Sequence, residues 1–483
     1  MPPEGNMRRS AAVLALAGGV EYGLQLLVPV ILVRHLDEVA FGQYRLLWLM
    51  AATAFAIAPA FMPQSLFFYL ARAGQGQKRL YIGNVLVWLI AAGCVSGAVT
   101  SGWNPWLQDA ARDLFFRTHG WSALFLALSV VSALLDVLPT ADGRASWQAR
   151  ATIGLAVLRA VLLTAAALTT SDIAGVAFAM LMVAAARLFV LAWYIRTHAD
   201  GKLTWQMAAL KRQLAYALPF AVGNALFLLR TQADQWVVIS MLSPAMYATF
   251  SIASVVLPIA TLIRQPVFNA MMPRLNRAHA QGDSAQAARL IASSNGATAL
   301  FLVPVVGAMF ATAPELVQIV YTSRYQQAAP IMQVYLIGMM MNMFAVGHVL
   351  PALNKGRFAV INSAGCLAVS VIFSIIGVMH WGLVGAAFGS VLTMAISELL
   401  SLRMVARTLG RGVHQMLDWG ALLPTLLGTC IAISGVAWLP ASISEYAVVT
   451  LVFKVTVYVS LFMPFFILTG GLKHLGVLIR QYR

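Results

Sequence analysis

The residues best able to do chemistry lie in the stretch 214–241. This apolar run is long enough to cross a bilayer, yet it carries ionisable and amide side chains. At 100° per residue, Asn224 and Gln235 fall on one line of a helix, and Arg230 and Asp234 flank that line. A charge near mid-bilayer costs about 2.5–3.5 kcal/mol, so this polar arc must face protein or a cavity. Arg230 and Asp234, one turn apart, are expected either to pair or to contact a solute.

Two further arginines lie deep inside predicted membrane spans, Arg159 and Arg187. Guanidinium groups bind phosphate oxygens through two parallel hydrogen bonds, so Arg159, Arg187 and Arg230 are candidates for holding an anionic head group. The alternative for Arg159 is that its side chain extends to the cytoplasmic interface. Lys454, near the outer end of the last span, is expected to reach the interface in that way. Asn224 and Gln235 are candidate substrate contacts beside these arginines.

Three acidic residues also fall inside predicted spans: Glu21, Asp234 and Glu398. A desolvated carboxyl group there either carries a coupling ion such as a proton or pairs with a buried arginine, and the sequence leaves both readings open. Four basic against three acidic residues in the spans predict a modestly cationic cavity. The cysteines and histidines show no ligand spacing, so neither a metal site nor another cofactor is predicted.

The composition identifies the class of protein that must position these residues. Of 483 residues, 60% are hydrophobic and 10% are charged, and the mean hydropathy is +0.81. These values indicate an all-α polytopic membrane protein. The net charge of +16 would suit a nucleic-acid-binding protein only if a folded soluble domain carried it, and no predicted loop is long enough to form one.

Apolar runs of about 20 residues predict about fourteen transmembrane helices. The loops on one side, with both termini, hold 23 of the 32 Lys and Arg residues, whereas the opposite loops hold five. Arg264 is among the 23, because a span that starts near residue 245 would end before it. The asymmetry predicts cytoplasmic termini. The apolar run after Arg8 and Arg9 is long enough for a spanning helix, so we interpret it as the first span rather than a cleaved signal peptide.

The first twelve spans show a weak internal repeat. A shift of 206 residues places Phe41 on Tyr247, Tyr44 on Phe250 and Gln75–Gly76 on Gln281–Gly282. A shift of six spans preserves orientation, so the halves are predicted to be parallel repeats. The resulting organisation is a six-helix lobe over residues 1–200, a second six-helix lobe over 201–410, and two further helices with a short cytoplasmic tail over 411–483.

Several segments resemble the Wzx-type polysaccharide flippases of the superfamily of multidrug, oligosaccharidyl-lipid and polysaccharide exporters. They are VRHLDEVAFGQYRLLW (33–48), ALPFAVGNALFLLRTQADQWVVISMLSPAMYATFSIASVV (217–256), PRLNRAHAQGD (273–283) and PELVQIVYTSRYQQAAPIMQVYLIG (314–338). Gly42 fits the family's usual glycine in the first loop, whereas the second half has Ala248 there. The resemblance implies two six-helix lobes around a central cavity that opens alternately to each side.

The resemblance also implies a function. It predicts a flippase in the bacterial inner membrane that moves undecaprenyl-pyrophosphate-linked oligosaccharide to the periplasmic leaflet for synthesis of O-antigen or exopolysaccharide. Membrane lipids, a polysaccharide polymerase and a chain-length regulator would be its partners, and a monomer is expected. The alternatives are a drug or cation antiporter and a peptidoglycan-precursor flippase of the same superfamily. The sequence lacks the GxxxxGK[ST] motif that an ATP-driven pump needs to bind nucleotide. An enzyme with Asp37 and Glu38 as its acidic pair would have only a loop of about ten residues in which to bind substrate.

Overall fold

A computed structural model describes residues 4–74, 77–198, 203–344, 346–440, 443–469 and 471. Within these ranges the regular structure is helical, as the composition predicts. Short 3-10 segments continue or connect several of the α-helices. The helices are α1 (Glu4–His35), α2 (Glu38–Ile57), α3 (Met62–Tyr69), α4 (Lys78–Val99), α5 (Asp109–Arg117), α6 (Trp121–Ser132), α7 (Leu138–Ala141), α8 (Ala145–Thr170), α9 (Ile173–His198), α10 (Met207–Met241), α11 (Pro244–Ala253), α12 (Pro258–Ala280), α13 (Ser284–Ala311), α14 (Ala313–Tyr321), α15 (Ala328–Met340), α16 (Gly356–Thr408), α17 (Trp419–Ala437) and α18 (Ala447–Leu468).

The described part of the chain contains twelve helical segments that are long and apolar enough to cross a membrane. A thirteenth is obtained if α2 and the segment Met62–Arg72, bent by 41°, are one broken span. The 53-residue α16 turns sharply at Gly382, whose φ of 58° and ψ of −138° are not helical. The multi-pass helical fold is therefore as predicted, whereas the count of about fourteen spans stays a prediction.

The chain packs as two compact units. Unit 1 comprises Met1–Leu229 and Leu242–Ala248, and unit 2 comprises Arg230–Met241 and Thr249–Arg483. In unit 1, α1 packs along α8, α4 packs on α6, and α9 contacts both α6 and α8. In unit 2, α13 packs against α12 and α17, and α17 packs against α18. The predicted boundary at residue 200 lies outside the described residues.

Helix boundaries agree with the 206-residue repeat. Adding 206 to the last residue of α1, His35, gives Met241, where α10 ends. The same shift carries the first residue of α2 onto that of α11, and the first residue of α4 onto that of α13. The aromatic residues that the repeat aligns are buried in both halves. The Gln75–Gly76 part of the alignment lies outside the described residues.

Gly42 lies where two backbones meet. A Cβ atom at this position would lie 1.9 Å from the carbonyl oxygen of Pro244, the first residue of α11. Only glycine permits so close an approach without movement of the backbone. The glycine that the resemblance singles out in the first loop therefore has a packing reason in this chain.

Candidate functional site

Unit 1 encloses a cavity of about 270 Å³ between helices that are distant in sequence. It brings together three of the residues predicted from the sequence: Glu21 from α1, Arg159 from α8 and Arg187 from α9. Asp136, from the 3-10 segment that follows α6, also lines it. The sequence interpretation had grouped these residues by type alone, and the fold places them around one polar space.

Arg187 is held firmly in this cavity. Its Nη2 donates to both carboxylate oxygens of Asp136 at 2.8 Å, and its Nε donates to the Ser132 hydroxyl at 3.3 Å. Both acceptors lie at the end of α6, where the α-helix gives way to the 3-10 segment. A charge-assisted contact of this kind fixes the orientation of the guanidinium group. Arg187 therefore has a carboxylate partner in this structure.

Arg159 is held more loosely. Its Nη2 lies 3.9 Å from a carboxylate oxygen of Glu21, which is beyond hydrogen-bond distance. The same Nη2 is buried and has no hydrogen-bond partner. The guanidinium carbon lies 5.6 Å from the centre of the Trp48 ring. Because the side chain is only 16% exposed and lines the cavity, an incoming anion could satisfy a donor that the protein leaves without an acceptor.

The charge balance of this cavity differs from the sequence expectation. Two guanidinium groups face two carboxylates, so the cavity residues sum to zero rather than to a net positive charge. The prediction counted the charges of all the spans together and omitted Asp136, an acidic residue inside the apolar segment Trp121–Ala141. A lone aspartate in such a run is itself a signal of function or pairing, and it could have been found from the sequence.

In unit 2, α10 contributes Arg230 to a second charged cluster. Glu398 on α16 interacts electrostatically with Arg230 and with Arg264 of α12, and it accepts a hydrogen bond from the backbone N–H of Gly347. Arg264 in turn donates from Nη2 to Nε2 of His348 at 3.0 Å. This cluster joins two predicted residues, Arg230 and Glu398, to two that the sequence interpretation did not select.

Arg264 corrects a prediction. It was assigned to a cytoplasmic loop, but it lies inside α12, is 9% exposed and belongs to the continuous segment Pro244–Ala280. The loop was expected because about 20 residues suffice to span a bilayer, whereas this helical segment runs for 37 residues through Pro266 and Pro273. Proline is tolerated inside membrane helices, so it did not end the helix here.

Asp234 is fully enclosed and is held by hydrogen bonds within unit 2. Tyr335 donates its hydroxyl to one carboxylate oxygen at 2.5 Å, and the backbone N–H of Gln235 donates to the other at 2.8 Å. Ser390 supplies a further side-chain hydrogen bond. Gln235 itself is half-buried, and Asn224, on the part of α10 that belongs to unit 1, is exposed. The hydrogen bonds from Tyr335 and Ser390 attach α10 to α15 and α16.

Lys454 is buried in an ion pair, contrary to the prediction that its side chain extends outward to the membrane interface. Its side chain is 9% exposed, and its ammonium group donates to Glu315 of α14 at 2.5 Å. Glu315 is 6% exposed. The lysine lies in the N-terminal part of α18, where α14 packs against that helix and offers a carboxylate.

The fold and these sites define a multi-pass helical membrane protein that buries charged residues in both of its units. In comparisons with solved structures, the "Lipid II flippase MurJ, inward closed conformation" matches with a TM-score of 0.70 and 14% identity, covering 94% of this chain and 99% of that one. An inward-facing multidrug resistance MATE family transporter of the MOP superfamily matches with a TM-score of 0.59 and 16% identity, covering 82% and 94%. A MOP superfamily transporter from Pyrococcus furiosus matches with a TM-score of 0.57 and 13% identity, covering 84% and 95%.

Sequence comparison identifies the family. The family model described as "Polysaccharide biosynthesis protein" matches residues 31–330, which is more than half of the chain. The chain therefore belongs to the polysaccharide biosynthesis protein family, and it has the fold of MurJ and the MATE transporters. No curated protein sequence matches significantly. The prediction of a polysaccharide family from the sequence segments is thus confirmed by the family model.

Proposed function

We propose that the protein is a flippase that moves an undecaprenyl-pyrophosphate-linked oligosaccharide from the cytoplasmic to the periplasmic leaflet by alternating access. The observation that carries the proposal is the unit 1 cavity with Arg159, whose buried Nη2 lacks a hydrogen-bond acceptor. A pyrophosphate offers such an acceptor, and a guanidinium group binds it with two aligned hydrogen bonds. Family membership supports a role in polysaccharide synthesis.

The other predicted residues take roles within their own units. Arg187 can exchange its carboxylate partner Asp136 for a phosphate oxygen, because both side chains line the same cavity. Arg230 supplies a guanidinium group in unit 2. The amides of Asn224 and Gln235 suit hydrogen bonds to sugar hydroxyl groups. The polypeptide thus binds and moves its substrate and leaves its covalent structure unchanged.

The proposed function also implies a location in the cell. The excess of Lys and Arg in one set of loops supports an inner-membrane protein with both termini in the cytoplasm. The glycan delivered to the periplasmic leaflet would pass to a polymerase and a chain-length regulator, which build O-antigen or exopolysaccharide. A monomer suffices, because each chain contains both repeats.

A drug or cation antiporter is the competing function with the same fold. Such a protein needs a carboxylate that is available to a cation. In the unit 1 cavity each carboxylate has an arginine beside it, Glu21 with Arg159 and Asp136 with Arg187. Asp136 already receives hydrogen bonds from Arg187, and the buried donor without an acceptor, Arg159 Nη2, favours an anionic substrate. A peptidoglycan-precursor flippase is the other alternative, because the MurJ structure is named for lipid II. Its substrate would differ from the one proposed here in the glycan that the lipid carries.

Gene deletion with complementation tests the proposal. Loss of surface polysaccharide, with lipid-linked oligosaccharide retained in the cytoplasmic leaflet, is expected on deletion. Arg187→Ala and Arg230→Ala should fail to restore export while still inserting into the membrane. Arg150→Ala is the matched control, because Arg150 is exposed and its Nε donates to the carbonyl oxygen of Ser146 in the same helix. Normal polysaccharide with increased drug sensitivity would contradict the proposal and support the antiporter.

A further inference from the structure

Three buried polar atoms in the lining of the unit 1 cavity have no hydrogen-bond partner among the described residues: Nη2 of Arg159, Nε1 of Trp48 and Oε1 of Gln148. Gln148 is 6% exposed, and the Trp48 indole is half-buried. Burial of a polar group without a partner is unfavourable, and a ligand that supplies the partner removes that cost. The types of the three atoms therefore indicate what kind of ligand this cavity binds.

The three atoms require ligand groups of two kinds. The indole N–H of Trp48 and the guanidinium N–H of Arg159 only donate hydrogen bonds. The guanidinium carbon lies 5.6 Å from the centre of the Trp48 ring, so the two donors are close together and suit an anionic phosphate. The amide oxygen of Gln148 accepts, and an ionised phosphate has no hydrogen to donate to it. A hydroxyl group both donates and accepts, so it suits Gln148 whichever way the amide is turned.

Gln148 and Arg159 lie at opposite ends of a strip of α8 that lines the cavity. They are eleven residues apart, about three turns, so they share one face of the helix and their Cα atoms are about 16 Å apart. Thr152 and Leu155, between them on this face, also line the cavity, which is therefore continuous along the strip. The Cα–Cβ bonds of a helix tilt toward its N-terminus, so the Gln148 side chain begins by pointing away from Arg159. A single phosphate group, with a hydrogen bond of about 2.9 Å at each end, is too short to contact both residues.

The volume of the cavity limits how far the ligand extends beyond its phosphate. At about 270 Å³ the cavity is just below the range of about 300–1,000 Å³ that is typical of small-molecule sites. It has room for a diphosphate and one sugar ring, so the remaining sugars and the lipid tail lie outside it. In the proposed substrate the first sugar is bonded directly to the pyrophosphate, and its hydroxyl groups are the hydrogen-bond donors nearest to the anion. The first sugar therefore has the chemistry and the position that Gln148 requires.

We propose that Gln148 hydrogen-bonds the sugar that is attached directly to the pyrophosphate, while Arg159 and Trp48 hold the pyrophosphate itself. The inference rests on the proposed function and adds a residue that determines its specificity. A lipid without a glycan leaves Oε1 of Gln148 without a partner, whereas a glycosylated lipid satisfies all three atoms. The protein consequently prefers the glycosylated lipid to bare undecaprenyl pyrophosphate, although both carry the same anionic group.

Equilibrium binding to the purified full-length protein tests this preference. The probes are undecaprenyl pyrophosphate and the same lipid carrying a single glucose, galactose or N-acetylglucosamine. We expect the wild type to bind at least one sugar-bearing probe about two- to tenfold more tightly than the bare lipid, which is the range for one neutral hydrogen bond. Gln148→Leu has a side chain of similar size without polar atoms, so it should lose that preference and still bind the bare lipid as the wild type does.

Two further variants separate recognition of the sugar from support of the fold. Gln148→Glu retains an acceptor oxygen and should retain the preference, whereas Arg159→Ala should weaken binding of every probe and leave the ratio of their affinities unchanged. Equal affinity of the wild type for all probes would overturn this inference alone, and that comparison does not depend on any variant folding. A preference that survives in Gln148→Leu, or an equal loss for bare and sugar-bearing lipid, would also overturn it. No binding of any probe would overturn the proposed function itself.

Discussion

Two substitutions in the unit 1 cavity should change head-group affinity in opposite directions. Arg159→Ala removes a donor that has no acceptor in the protein, so no hydrogen bond of the free protein is lost. The substitution removes a hydrogen bond only from the complex with the head group. A hydrogen bond to a charged group contributes about 1.5–3 kcal/mol, which corresponds to about 10- to 150-fold weaker binding. Asp136→Asn instead removes the carboxylate that holds Arg187 and makes the cavity net positive.

The gain from Asp136→Asn should be smaller than the loss from Arg159→Ala. The Asp136 side chain is 57% exposed, so solvent screens it and its pairing is worth about 1 kcal/mol at most. Affinity for undecaprenyl pyrophosphate should therefore rise by up to about fivefold, measured by equilibrium binding to purified protein. Arg150→Ala again serves as the control. Wild-type affinity in Arg159→Ala, or weaker binding in Asp136→Asn, would refute this account of the cavity.

Two further predictions concern stability. Lys454→Met should lower the thermal midpoint of the detergent-solubilised protein strongly, because an unpaired buried Glu315 costs about 3–5 kcal/mol, and the double variant with Glu315→Gln should recover most of it. An equal loss in the double variant would show that packing rather than charge is responsible. Gly42→Ala should reduce the amount of folded protein in the membrane, because its Cβ would overlap the carbonyl oxygen of Pro244. Normal expression and melting of this variant would contradict that reading.

Hydropathy and charge alone could predict the class of fold. Apolar runs predicted the helices. The predicted shift of 206 residues relates three pairs of helix boundaries in the structure. Charged residues in spans were equally visible, because they are rare and expensive in a bilayer. Arg159, Arg187 and Glu21 were selected on that ground, and the fold brings them to one cavity.

Partners could not be predicted in the same way. Arg187 and Asp136 are 51 positions apart, and Lys454 and Glu315 are 139 apart, so each pair exists only through tertiary packing. Sequence periodicity describes one helix at a time and contains no information about which helices meet. Arg264 was misplaced for a related reason, because a limit of about 20 residues for one span cannot anticipate a helical segment of 37 residues.

We propose that this chain moves a lipid-linked oligosaccharide across a bilayer. Purified protein in liposomes that contain fluorescent undecaprenyl-pyrophosphate oligosaccharide tests it directly, with a membrane-impermeant quencher or glycosidase reporting the outer leaflet. We predict protein-dependent movement of the probe between leaflets, slowed in Arg159→Ala and retained in Arg150→Ala. No movement above that of protein-free liposomes, while a cationic drug is exchanged for ions, would contradict the account.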